Sequence, residues 1–330
     1  MNIKKIGLTA LAGSLVATSA MAGEMSISGG AKISYVTKGG NAAESTVASG
    51  YAMDQELTAS GSGELDNGMT VSVSHGLATG GSGSDTSSLT VDMGDMGSIS
   101  YNDTDAGSGL RGIDDVMPTA YEEAFDGLGT TANAYARAAM PTGAGFAYSN
   151  NINGLAIAIG YSDNLNATAD RSDGSQDTTS TSANGSSSIA LTYSLEDFGL
   201  TVFGGQGSAG EADGKEIDHS TVGAKYAYGP VTVGYQSNSQ DDSDSTASNT
   251  DLDTTTMAIA FNVNDDLSIS YAEATTDKEG STVDQETEAF NASYSMGGMT
   301  INLKDSEVTG LANTANTNHE TTEVLVTFAF

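Results

Sequence analysis

The side chains able to do chemistry in this 330-residue chain are mainly carboxylates: 43 Asp and Glu stand against 11 Lys and Arg. Catalysis finds little to work with. Cysteine is absent, and His75, His219 and His319 lie far apart, in neither a His-x-His nor an H-E-x-x-H spacing. There is no G-x-S-x-G elbow and no phosphate-binding loop. No enzyme is read from these residues. Two acidic clusters, Asp170 with Asp173 and Asp241 and Asp242 with Asp244, are the places where a surface Ca²⁺ could sit. Their spacing does not match a D-x-D-x-D-G calcium loop, so a solvated acidic fringe is the better reading and no cofactor is expected. A third concentration of acids, Asp103, Asp105, Asp114, Asp115, Glu122, Glu123 and Asp126, falls in one stretch that also holds Arg111 and Arg137. Nothing polybasic exists for nucleic acid or anionic lipid to grip.

The elements that would position these charges are strands. Residues 1–22 are first set aside: Lys4 and Lys5 lead a short apolar run that ends in Ala20-Met21-Ala22, the layout of a secretory signal peptide. Removing two of the 11 basic residues leaves nine against 43 acids, a formal charge of −34 on the mature chain, 23–330. Such polarity alone would suit disorder. The apolar residues argue otherwise, because they recur at every second position in about 16 short stretches, from Met25, Ile27, Ile33 and Tyr35 to Val324, Val326, Phe328 and Phe330. Ser, Thr, Gly, Asp or Lys fill the positions between.

Every second connection is tight and built of turn residues, such as Asp66-Asn67-Gly68, Asn151-Ile152-Asn153-Gly154, Gly229-Pro230 and Gly297-Gly298. The intervening ones are long, acidic and low in complexity. In an up-and-down meander this puts all tight turns at one end and all long loops at the other, the layout of a transmembrane β-barrel. A soluble sandwich has no reason to alternate its loops, and a secreted solenoid or adhesin should repeat at fixed length. A polar inner face closed by an apolar outer one fits a water-filled barrel in lipid. Tyr35, Tyr101, Tyr161, Tyr193, Tyr235, Tyr271 and Tyr294 lie near strand ends on the apolar face, as aromatic girdles would.

In these features the chain resembles the Gram-negative general porins, and most of all their alphaproteobacterial branch. The signal peptide, the strand and loop alternation with one oversized third loop, and the terminal Phe carry the likeness. The resemblance implies an all-β, 16-stranded, trimeric outer-membrane barrel among lipid and lipopolysaccharide, through which ions and small hydrophilic solutes diffuse passively. It also implies that Val324, Val326, Phe328 and Phe330 are the signal read by the outer-membrane insertion machinery. A solute-specific channel would need a line of aromatics or a basic ladder through the lumen, and the inward positions are mostly small and polar.

The resemblance further implies that the loop at about 102–145 folds into the barrel. Its acids, Asp103, Asp105, Asp114, Asp115, Glu122, Glu123 and Asp126, would then form the constriction, facing basic residues on the wall. On that wall the chain departs from the family. Strand parity turns only Lys32, Lys225 and Lys304 inward as cations, with Asp54 and Glu56 beside them, and Arg111 and Arg137 lie on the loop itself. A more uniformly negative passage prefers cations, less so in high salt. The loop also has helix-like composition around TAYEEAF, behind Pro118.

Overall fold

The computed structural model describes residues 25–41, 49–78, 84–103, 109–129, 144–162, 185–210, 216–242 and 251–329. The leader, Asp105, Arg137, Asp170, Asp173, Asp244 and Phe330 lie outside these residues. Sixteen strands follow one another: β1 (Met25–Gly40), β2 (Gly50–Glu64), β3 (Thr70–Ala78), β4 (Ser84–Asp92), β5 (Ser98–Asn102), β6 (Gly145–Ile152), β7 (Leu155–Ser162) and β8 (Ser186–Leu195). Then come β9 (Leu200–Gly210), β10 (Glu216–Tyr228), β11 (Val231–Asp242), β12 (Leu252–Asn262), β13 (Leu267–Lys278), β14 (Gln285–Met296), β15 (Met299–Thr309) and β16 (Asn318–Ala329). Each pairs antiparallel with its sequence neighbours, and β1 pairs with β16, so the sheet closes with no free edge.

Why these segments form strands follows from the two faces. On the outside, Ile33, Tyr35, Met53, Ile159, Tyr193, Ile259, Tyr294 and Phe328 stand exposed, which costs free energy in water and none in hydrocarbon. The girdle tyrosines are on this face, and two of them meet aromatic partners across strands: Tyr35 with Tyr51 at 4.6 Å and Tyr101 with Phe146 at 5.0 Å between ring centroids. Toward the loops the strands run beyond their apolar halves. In β13, Leu267, Ile269 and Tyr271 are followed on the same outer face by Glu273, Thr275 and Asp277. A hydrocarbon layer needs only about 9–11 tilted residues per strand, so these polar extensions project past it.

The tight ends behave as their residues require. Asn153 and Gly154 both take positive φ, the conformation of a two-residue hairpin whose twist matches its flanking strands. The His residues serve the wall: outward-facing His75 pairs with Ser87 at 2.8 Å, while His219 and His319 are buried on the inner face. Among the described residues no three His, Asp or Glu side chains converge to hold a metal ion.

Among the described residues, the buried apolar clusters form where the loop between β5 and β6 lies inside the barrel. Leu110, Ile113, Met117 and Ala124 pack on the inward Ala190, Phe203, Ala258, Ala272 and Ala289, and Leu128 packs on Val308 and Leu311. The loop therefore crosses the interior from β8 toward β15.

Candidate pore constriction

Residues 109–129 are threaded along the inner wall by its side chains, strand by strand. Gly109 enters at φ +67°, where an added Cβ would lie 2.1 Å from the Ser188 hydroxyl oxygen, so a close approach and a left-handed backbone both demand glycine. The Leu110 amide then donates to Ser188 Oγ at 3.1 Å. At β11, Gln236 and Asn238 donate to the Asp114 carbonyl. At β13, Ser270 Oγ accepts from the Ala120 amide at 2.9 Å. At β14, Asn291 donates to the Glu122 carbonyl at 2.9 Å.

The strongest tie is at β15. Lys304, 1 % exposed, donates from Nζ to the Glu123 carbonyl at 2.6 Å and the Asp126 carbonyl at 2.5 Å, and stands 3.4 Å from Glu122 Oε2. An ammonium with three donors has found three oxygens, the condition for burying it. These ties also explain why TAYEEAF is not a helix. The carbonyls of Glu122, Glu123 and Asp126 are taken by Asn291 and Lys304, whereas an α-helix would offer the first two to amides four residues on.

Two sequence-based expectations are corrected here. Asp114 does not face an aqueous constriction: it is 3 % exposed beneath the loop, beside Gln236 and Asn238. Lys304 is not a cation of the open wall, because the loop lies on top of it. Asp103, at the start of the loop, accepts the Ser87 amide at 2.7 Å and so caps a strand end. Asp115, Glu122, Glu123 and Asp126 are half-buried, as is Arg111 in its 3-10 turn. Lys225 is half-buried on the inner face of β10, opposite Thr201 and Gly234. Lys32 and Asp54 lie directly opposite one another on neighbouring strands, exposed on the inner face with Glu56 close by.

One inward carboxylate was not singled out from the sequence. Glu323 of β16 is the cross-strand partner of Lys304, and the Tyr121 hydroxyl comes within hydrogen-bonding reach of both Glu323 and Glu122. Burial, reinforced by these carboxylates, pushes the Tyr121 phenol above its ordinary value, so it stays a donor. Parity opposite to Val324 was the available signal.

Burial also raises the Glu123 carboxyl from 4.5 to about 8, helped by a hydrogen bond with Asp126 and by the charges of Asp126 and Asp115. Because that shift is upward in the folded state, its contribution to loop docking is present at low pH and is lost as pH rises through about 8. Ionisation there adds a negative charge inside the passage. Single-channel conductance in KCl is thus expected to rise between pH 6 and 9.5 with a midpoint near 8, and Glu123→Gln to flatten the rise. A flat wild-type profile would mean that Glu123 is already ionised.

The geometry finds counterparts among known proteins. The Gram-negative porin family profile matches residues 7–329. A solved structure of a Rhodobacter blastica porin variant superposes with a TM-score of 0.62 at 16% identity, over 93% of this chain and 100% of that one. A porin refined at 1.8 Å gives 0.64 at 15% identity, over 93% and 100%. An anion-selective porin from Comamonas acidovorans gives 0.61 at 12% identity, over 93% and 99%. Among curated proteins none matches significantly.

Proposed function

The chain belongs to the Gram-negative porin family, and on that premise we propose that this outer-membrane diffusion channel is cation-preferring and works as a homotrimer. Membership supplies the passive route for small hydrophilic solutes. The sign of selectivity is a matter of local charge, since the same fold in Comamonas acidovorans is anion-selective. The burial of Lys304 carries the proposal. General porins set cations against the loop acids; here that ammonium lies beneath the loop, bound to backbone carbonyls, while Glu122 keeps 31 % of its side chain exposed. Asp54 and Glu56 face the same interior from β2, with Lys32 their exposed counter-charge. Among the described residues of the inner face, carboxylates outnumber the exposed lysines, Lys32 and Lys38, and fixed charge in a narrow wet lumen enriches counter-ions.

The trimer is taken over from the family, the outward placing of the long loops from the layout of outer-membrane barrels, and export by the 22-residue leader from Lys4, Lys5, the apolar run and Ala20-Met21-Ala22. Recognition of the Val324, Val326, Phe328 and Phe330 ridge by the insertion machinery is likewise taken over from the family. Lipopolysaccharide around the barrel follows from the outer membrane. The aspartate-rich loop ends, Asp241 and Asp242 among them, are proposed as solvated charge and not as calcium sites.

The decisive experiment is single-channel recording from the refolded mature protein in a planar bilayer under a KCl gradient. Openings in groups of three, with a reversal potential of the sign set by K⁺ flow, are expected. Anion preference would overturn the selectivity reading, and a folded but non-conducting protein the channel itself.

A further inference from the structure

We propose that Glu323, on the C-terminal strand, is a selectivity-determining residue of the pore, forming with Glu122 a lumen-facing carboxylate pair that spans loop and wall. The inference rests on the cation-preferring reading above and names the wall residue that produces it. Three observations place Glu323. In register it lies between Lys304 of β15 and Val36 of β1, with parity opposite to the lipid-facing Val324 and Phe328. It is half-buried, so one side of the carboxylate meets the interior. And it reaches the loop, because its carboxylate and that of Glu122 both act on the Tyr121 hydroxyl.

The charge arithmetic around this point is one-sided. Among the described residues one ammonium stands against the two carboxylates, that of Lys304, which sits behind the pair, spends two of its donors on the Glu123 and Asp126 carbonyls and its third on Glu122 Oε2 at 3.4 Å. Tyr121 offers one neutral proton between two carboxylates. A permeating cation passing here meets carboxylates from both sides of the gap, while the exposed inner-face ammonium groups beside it, Lys38 and Lys32, stand one strand over on β1, in register with Thr321 and Thr327. Two like charges this close hold a strong local potential in a partly dehydrated space.

The test compares trimers carrying Glu323→Gln, Glu122→Gln and Glu320→Gln in planar bilayers. Glu320 lies on the same strand but faces outward, and serves as the control. Removing one of two facing charges is expected to lower the K⁺/Cl⁻ permeability ratio about twofold at 0.1 M KCl and much less near 1 M, where the Debye length is ~3 Å. In the Glu320→Gln control both the permeability ratio and the conductance should stay at the wild-type values. Should Glu323→Gln not insert, Glu323→Asp gives a smaller shift of the same sign. A lowered ratio in Glu122→Gln with none in Glu323→Gln overturns this inference and leaves the channel reading intact. So does a changed conductance at constant selectivity, which would make Glu323 a packing residue. Wild-type channels without cation preference would instead remove the premise.

Discussion

Replacing Lys304 with methionine is expected to widen the channel. Methionine fills a similar volume but cannot donate, so the carbonyls of Glu123 and Asp126 lose their partner and Glu122 its counter-ion while still pressed against the wall. Hydrogen bonds to a charged group contribute about 1.5–3 kcal/mol each, and orphaned buried acceptors add a penalty. A loss of about 3 kcal/mol lowers the ratio of docked to undocked loop on the order of 10²-fold. The barrel itself should survive, because its strand ladders do not depend on this side chain. Single-channel conductance should rise roughly twofold and fluctuate, as the lumen is no longer narrowed by a fixed loop. Protease added from the loop side should cut within residues 109–129, which the wild type protects. Lys225→Met is the matched control: it removes an inward ammonium that makes none of these ties. Equal conductance in both variants would mean that the loop's apolar contacts suffice to hold it.

Much of this architecture was legible because a barrel in lipid writes its two solvents into alternate residues. All 16 expected strands are present, since each carries an outward apolar set and hairpin closure keeps them in order. The loop-side halves were not legible by that signal: Glu273, Glu288, Glu307 and Glu320 are strand residues on the outer face, yet past the hydrocarbon nothing selects apolar side chains. That the third loop folds inward came from family resemblance. A physical mark of it is present in the wall, however. The inward positions of β8 to β14 include Ala190, Gly205, Gly234, Ala258, Ala272 and Ala289, small residues where the loop lies, whereas β1 and β2 carry Lys32, Asp54 and Glu56 where the structure shows them exposed. Inward parity alone could not separate a cation of the open wall from one beneath a loop, so Lys304 and Lys32 looked alike. Burial of Asp114 was hidden for the same reason, its backbone being the part that the wall uses.

The small wall residues lead to the second large effect, opposite in sign to the first. Gly234 is an inward position of β11 with ordinary strand dihedrals, paired with Lys225 and Ala258, so valine suits its backbone. Space is the obstacle: an added Cβ would stand 2.5 Å from Pro118 Cδ and 2.8 Å from Met117 Sδ. Proline cannot turn aside, so Gly234→Val must push the loop inward, toward the passage, at an overpacking cost of about 1–3 kcal/mol. We expect inserted channels whose conductance falls by roughly a third while the proposed cation preference persists or grows, since narrowing brings the carboxylates closer to permeating ions. Combined with Lys304→Met, the valine should lose most of its effect, because a loop already released is no longer pressed against β11. The two substitutions are then strongly non-additive, as expected of residues that act through one shared segment. Additive conductance changes would mean that residues 117–118 and 122–126 are held independently, and that the segment does not dock as a unit.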